Sequence, residues 1–300
     1  MMKIGFSSLA CPGWDLETIV ANASEMGFDG VELQGLQDEL ELPLVPELTS
    51  QPERVRQIFQ RSSVELVCLG IPATLSSHRG QVVARQKAVV TSVIELAAKL
   101  GCPYVRLDVG KVQRWDNRRA AQSRIAEALI SLVPVACHFG VTLLVENGGD
   151  FPGSQELWFL IDAVGHPAVQ CCWNQCQAMT IGERPTKSIP CLGSKIGLVH
   201  LCDAEFDEHG TLLEYKPLGE GNVEVARQIE LLKGIVYDRY LVFESPETRP
   251  ESLPAPEDVL GKAAKTLRER IDEQQSILSA YKGDKRAPPM ASRVTVPGTH

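Results

Sequence analysis

Four apolar runs in this chain end in residues that can bind cations or move protons. Val141-Thr-Leu-Leu-Val-Glu146 closes on a carboxylate, Val169-Gln-Cys-Cys-Trp-Asn174 on an amide, and Tyr240-Leu-Val-Phe-Glu244 on a second carboxylate. The run 196–201 carries His200 and leads into Cys202 and Asp203. If these runs are neighbouring strands, Glu146, Asn174, His200 and Glu244 form one cluster of oxygen and nitrogen donors, a candidate divalent-metal site. The two glutamates could also take a proton from carbon beside a carbonyl and return it, because burial and nearby charge tune a carboxyl group. Each residue has a plainer alternative. A glutamate can simply mark the strand leaving the core, His200 can be a bonded core histidine, and Asn174 can cap the next loop. What favours function is that a Glu or His at the end of a buried run is costly unless paired.

Weaker candidates surround this set. Glu32 ends a short apolar run and is placed either to contact substrate or to pair with an arginine. Arg106 and Asp108 share one face of a strand, with Leu107 on the other, so they either reach the mouth together or pair structurally. Asp203 is positioned to lie behind His200 and orient its ring. Arg249, five residues past Glu244, could bind a substrate phosphate or carboxylate, or be a solvated loop residue. Trp14 and Trp115 could wall a sugar pocket or pack a loop. Gly219-Glu-Gly221 has the look of a phosphate-loop fragment, but a turn explains two glycines equally well.

The elements that must position these groups alternate regularly. Strands are expected at 3–8, 30–34, 64–70, 104–109, 141–146, 169–173, 196–201 and 239–243, with helices at 15–26, 53–62, 79–100, 117–139, 154–164, 222–233 and 256–275. Pro134 should kink its helix. The 175–195 connection reads as weak and Pro-broken, and 203–221 as a polar loop. Eight strand–helix repeats fit an α/β fold of the (β/α)8 TIM-barrel type, which needs about 250 residues. A dinucleotide-binding fold would want a Gly-rich turn after the first strand, and 7–13 has none. The expected organisation is one barrel domain over 1–275 and a Pro-containing, flexible C-terminal tail over 276–300.

Composition excludes several classes. A formal net charge of −8 disfavours nucleic acid, whose phosphates call for clustered Lys and Arg. No signal peptide is expected, nor a membrane helix, which needs about 18 or more consecutive apolar residues. The odd count of nine cysteines, with Cys68, Cys102, Cys137, Cys171, Cys172 and Cys202 inside apolar runs, reads as small buried hydrophobes in a reducing, cytoplasmic setting.

Gly27-Phe-Asp-Gly-Val-Glu-Leu33, Leu144-Val-Glu-Asn147, Val199-His-Leu-Cys-Asp-Ala204, Pro217-Leu-Gly-Glu-Gly-Asn222 and Tyr240–Glu244 together resemble the xylose-isomerase-like superfamily, over roughly residues 3–275. The nearest group is the sugar phosphate isomerase/epimerase family, with inosose dehydratases and ketose 3-epimerases. The resemblance implies a divalent cation (Mn, Mg, Co or Zn) on Glu146, Asn174, His200 and Glu244. It implies a metal-assisted isomerase or epimerase of a sugar or polyol working through an enediolate. An inosose-dehydratase-like lyase and a non-catalytic sugar-binding barrel are the alternatives, and homo-oligomerisation is open. The chain departs from the family pattern where Asn174 replaces an Asp, Gly148 and Gln177 replace histidines, and Cys202 replaces a Lys. Losing the Asp charge should weaken the metal site. Endonucleases of the same superfamily need several histidines around zinc, and six histidines scattered through an acidic chain do not supply them.

Overall fold

In the computed structural model, residues 1–283 are described except 38, 74, 109 and 246–252, and side chains are described as far as 273. Eight parallel strands close a barrel: β1 (Lys3–Ser7), β2 (Gly30–Leu33), β3 (Glu65–Ile71), β4 (Tyr104–Asp108), β5 (Thr142–Glu146), β6 (Val169–Asn174), β7 (Ile196–Leu201) and β8 (Tyr240–Phe243). Each strand pairs with its sequence neighbours, and β8 returns to β1 with Phe243 opposite Phe6. The (β/α)8 expectation is therefore met. Helices α1 (Leu16–Glu25), α2 (Pro52–Gln60), α3 (Gly80–Leu100), α4 (Arg118–Phe139), α5 (Ser154–Val164), α6 (Pro185–Leu192), α7 (Val225–Gly234) and α8 (Pro256–Gly283) follow the strands in turn.

Local chemistry explains most element ends. The Asp15 carboxylate accepts the Thr18 N–H at the start of α1, and the Asn117 side chain accepts two N–H groups at the start of α4. Gly101 and Gly140, at φ 75° and 67°, stop α3 and α4 in a left-handed conformation that other residues avoid. Strand alternation then sorts side chains into two cores. The larger one fills the space between strands and helices. The smaller one, Val67, Cys68, Leu144, Cys172, Leu198, Tyr240 and Val242, lies inside the barrel. Two positions on from Leu144, Cys172, Leu198 and Val242, the same inward face carries Glu146, Asn174, His200 and Glu244. An apolar floor thus lies directly beneath the polar mouth.

Several expectations change. Helix α4 spans Arg118–Phe139 with Pro134 inside it, and although long and apolar enough to cross a membrane, it packs Ala121, Ile125, Leu129, Leu132 and Ala136 on the barrel. The 175–195 connection is helical, in the segments Gln175–Met179 and Pro185–Leu192. The polar loop after β7 contains an antiparallel hairpin, Asp203–Phe206 against Leu212–Lys216. Asn222 does not cap α7; its amide clasps the Phe206 backbone from both sides. Helix α8 continues past 275 to Gly283, so 276–283 is helix rather than tail, and 284–300 lies outside the described residues.

Candidate active site

The four strand-end residues meet at the C-terminal mouth. The strand register sets Asn174 beside His200, and a register shift between Cys171 and Cys172 re-aims the end of β6. Asn174 Nδ2 donates to Glu146 Oε1 and to Glu244 Oε2, both at 2.9 Å. His200 Nδ1 stands 2.9 Å from Glu146 Oε1 and 3.2 Å from Glu244 Oε2. His200 is 0% exposed and Asn174 2%. The cluster opens on a cavity of about 1020 Å³, lined by Arg106, Asp108, Glu146, Asn174 and Glu244 among others. That is room for a small ligand.

A second layer of charge sits against the first. Glu32, 0% exposed, accepts from His200 Nε2 at 2.6 Å and from Arg106 Nε at 3.4 Å. It orients the ring and does not face the cavity, so the expectation that it contacts substrate gives way to its alternative, pairing. Arg106 spreads its guanidinium over three carboxylates, at 2.5 Å from Asp108, 2.9 Å from Glu146 and 3.4 Å from Glu32, and donates to Gln34 Oε1 at 2.6 Å. Gln34 in turn donates to Glu244 Oε1 at 3.0 Å, which links strand β2 to strand β8 across the mouth. Sequence reading missed Gln34. The available signal was its position two residues after Glu32, on the same strand face.

Electrostatics follow from this packing. Burial pulls the Glu32 and Glu244 carboxyls up, but His200, then Arg106, outweigh it and hold both below the usual carboxylate range. Burial works against the His200 imidazolium, yet Cys172, Glu244, Glu32 and Glu146 hold it well above the usual histidine range. Burial pushes the Cys172 thiol up to about 12, so at neutral pH the carboxylates are the charged partners. With a carboxylate on each ring nitrogen, both nitrogens act as donors.

The donor set suits a divalent cation only in part. Glu146, Cys172 and His200 bring ligand atoms within 4.8 Å of one another. Asn174 does not complete a four-ligand set. Its Oδ1 accepts the backbone N–H groups of Cys176 and Gln177 at 3.1 and 3.4 Å, so the amide turns its N–H₂ group toward the glutamates. An amide nitrogen offers a cation nothing to coordinate. The four-residue metal centre expected on Glu146, Asn174, His200 and Glu244 is therefore not met by the residues present.

Asp203 stands elsewhere than expected. Its oxygens accept from the backbone N–H groups of Gly219 at 2.7 Å, Gly221 at 3.1 Å, Ala204 at 2.9 Å and Val223 at 3.2 Å. It pins the 217–223 loop and leaves the ring of His200 to Glu32. The same bonds explain Gly219-Glu-Gly221 as a turn wrapped on Asp203. A side chain at Gly221 would collide with the Asp203 carboxylate. Arg249 lies outside the described residues. Trp115 lines the cavity and meets His78 edge to face at 4.4 Å, whereas Trp14 packs against the main core. Two cysteine expectations also change: Cys176 and Cys202 are joined in a disulfide at the cavity edge, and Cys137 is exposed.

The family described as xylose isomerase-like TIM barrel matches residues 20–270. Among solved structures, an L-ribulose 3-epimerase superposes with a TM-score of 0.78 at 20% identity, covering 96% of this chain and 100% of that one. An IolI protein with a bound zinc atom gives 0.78 at 18% identity, over 91% and 99%. A D-allulose 3-epimerase from Methylomonas sp. in complex with D-allulose gives 0.71 at 18% identity, over 90% and 97%. Identities this low speak for a shared fold. No curated protein matches the sequence.

Proposed function

The chain belongs to the xylose isomerase-like TIM barrel family, and on that premise we propose that its mouth takes a small sugar or polyol bearing a carbonyl and moves a proton on the carbon beside it, as an epimerase or isomerase. The observation that carries this reading is the pair Glu146 and Glu244, which end β5 and follow β8 and approach the cavity from either side of Asn174. Glu244 is ionised at neutral pH and is the more exposed of the two, so it is ready to accept the proton. Glu146, bonded to His200 Nδ1 at 2.9 Å, can be recharged with a proton and deliver it from the other face. Return to the same carbon from the opposite face inverts it; return to the neighbouring carbon moves the carbonyl. Arg106 supplies fixed positive charge beside the oxygen where negative charge develops. The D-allulose complex of the Methylomonas sp. epimerase supports the choice of substrate class. The acidic balance of the chain keeps nucleic acid out of this reading.

The test is incubation of the protein with a panel of ketoses in D₂O, followed by proton NMR at the positions beside the carbonyl. Loss of signal at one position, abolished in Glu146→Gln and Glu244→Gln, is the expected result. If the protein binds ketoses but exchanges no deuterium into any of them, the barrel is a binding protein and the reading fails.

A further inference from the structure

We propose that this protein takes no divalent cation into its barrel mouth, and that the Asn174 amide and the Arg106 guanidinium do the work of holding Glu146 and Glu244 together. The orientation of Asn174 is fixed from both sides. Two backbone N–H groups, of Cys176 and Gln177, point at its Oδ1, while two carboxylate oxygens receive its Nδ2 hydrogens. Turning the amide over would set N–H₂ against N–H on one side and oxygen against two carboxylate oxygens on the other, in a position 2% exposed to water. An Asp in the same place could cap the Gln175–Met179 helix with one oxygen and offer the other to an ion. The amide can do only the first.

Every oxygen of the two glutamates also has a donor already. Glu146 Oε1 accepts from Asn174, and Glu146 Oε2 pairs with Arg106 at 2.9 Å. Glu244 Oε1 accepts from Gln34, and Glu244 Oε2 accepts from Asn174. An entering cation would compete with these donors, and it would bring its positive charge close to a buried guanidinium that already faces Glu32, Asp108 and Glu146. The proposal concerns the same mouth as the proposed proton transfer, but it stands or falls by ion binding, whereas that reaction stands or falls by deuterium exchange.

The experiment is calorimetric titration of the chelator-dialysed full chain with Mn²⁺ and with Zn²⁺, beside an Asn174→Asp variant, with metal content and melting temperature measured on the same samples. Asp caps a helix as well as Asn does, but its second oxygen faces two carboxylates until an ion enters, so circular dichroism checks the fold of the variant before titration. The expected result is no one-to-one binding by the wild type at millimolar ion and an unmoved melting temperature. The variant should bind one ion per chain at least about 100-fold more tightly, the upper range for altering a metal ligand's surroundings, and should melt higher as ion is added. One Mn²⁺ per wild-type chain, or one Zn²⁺ held by Glu146, Cys172 and His200, would overturn the proposal. So would a folded variant that binds no ion, because Asn174 would then not be what keeps the cation out. The wild-type titration decides the first point even if the variant fails to fold.

Discussion

Replacing Arg106 by leucine tests whether the guanidinium is the charge that keeps the mouth assembled. Arg106 is buried and pairs with Glu32, Asp108 and Glu146. The three partners do not lose equally. The Asp108 side chain is 43% exposed, so water replaces the arginine there. Glu32 and Glu146 are buried and would keep only His200 and Asn174 as donors. Removing one member of a buried pair costs about 3–5 kcal/mol, and the lower end applies because those donors remain. For a domain of this size that corresponds to a drop in melting temperature of roughly 6–12 °C, read by circular dichroism. Arg106→Lys keeps the charge but loses the planar fork, and should fall between wild type and Arg106→Leu. The loss should shrink at acid pH, where the orphaned carboxylates protonate. A change below about 1 kcal/mol at neutral pH, the scale of an exposed pair, would refute the reasoning, since the carboxylates would then be relieved by something other than Arg106.

Gly70→Ala would push a methyl group against Arg106 Nη2, Gln34 Cγ and Glu32 Oε1 at 2.7–2.8 Å; it should cost about 1–3 kcal/mol in urea unfolding, as overpacking does, and a cost near zero would mean that Arg106 has room to move. Asp203→Ala removes the acceptor of four backbone N–H groups, so hydrogen exchange at Gly219, Gly221 and Val223 should speed up while the His200 ring signals hold still. Movement of the His200 signals instead would restore Asp203 as the residue that orients that ring. Because the Glu32 and Glu244 carboxyls are held below their ordinary values, the stability they contribute is fully present above about pH 4.3, the unfolded glutamate value, and is lost as pH falls through the lowered folded values. Urea midpoints measured from pH 7 to pH 3 should therefore fall, and fall less steeply in Glu32→Gln; parallel curves for the two proteins would count against the assigned ionisation.

The strands and the main site were legible because each buried strand is written as a continuous apolar run, and a polar residue at its end stands out. Glu146, Asn174, His200 and Glu244 were found on that signal and do meet. Gln34 was not found because a neutral amide at the last position of the expected 30–34 strand carries no charge to mark it, and only the alternation from Glu32 points inward. Asp203 was misplaced because three of its four partners are backbone N–H groups of residues 16–20 positions later, which no residue type encodes. The Cys176–Cys202 pairing spans 26 residues at a spacing that carries no information. Asn174 was seen as a weakened ligand. What reverses its meaning is the direction of its amide, which is decided by the start of a five-residue helix in a stretch whose sequence reads as a weak, Pro-broken connection.

The apolar floor has a further consequence. Leu144, Leu198 and Val242 lie beneath Glu146, His200 and Glu244, and Tyr240 at the bottom sends its hydroxyl to Glu65 and the Asp29 carbonyl. The barrel is a blind well, open at one end. A ligand leaves by the way it came, and while it is seated it covers the one opening seen among the described residues, through which the glutamates trade protons with bulk water. A deuteron lifted by Glu244 should then stay on the protein until the ligand departs, while the proton that replaces it comes from Glu146. The delay between ligand release and washout of that deuteron would measure how tightly the ligand corks the well.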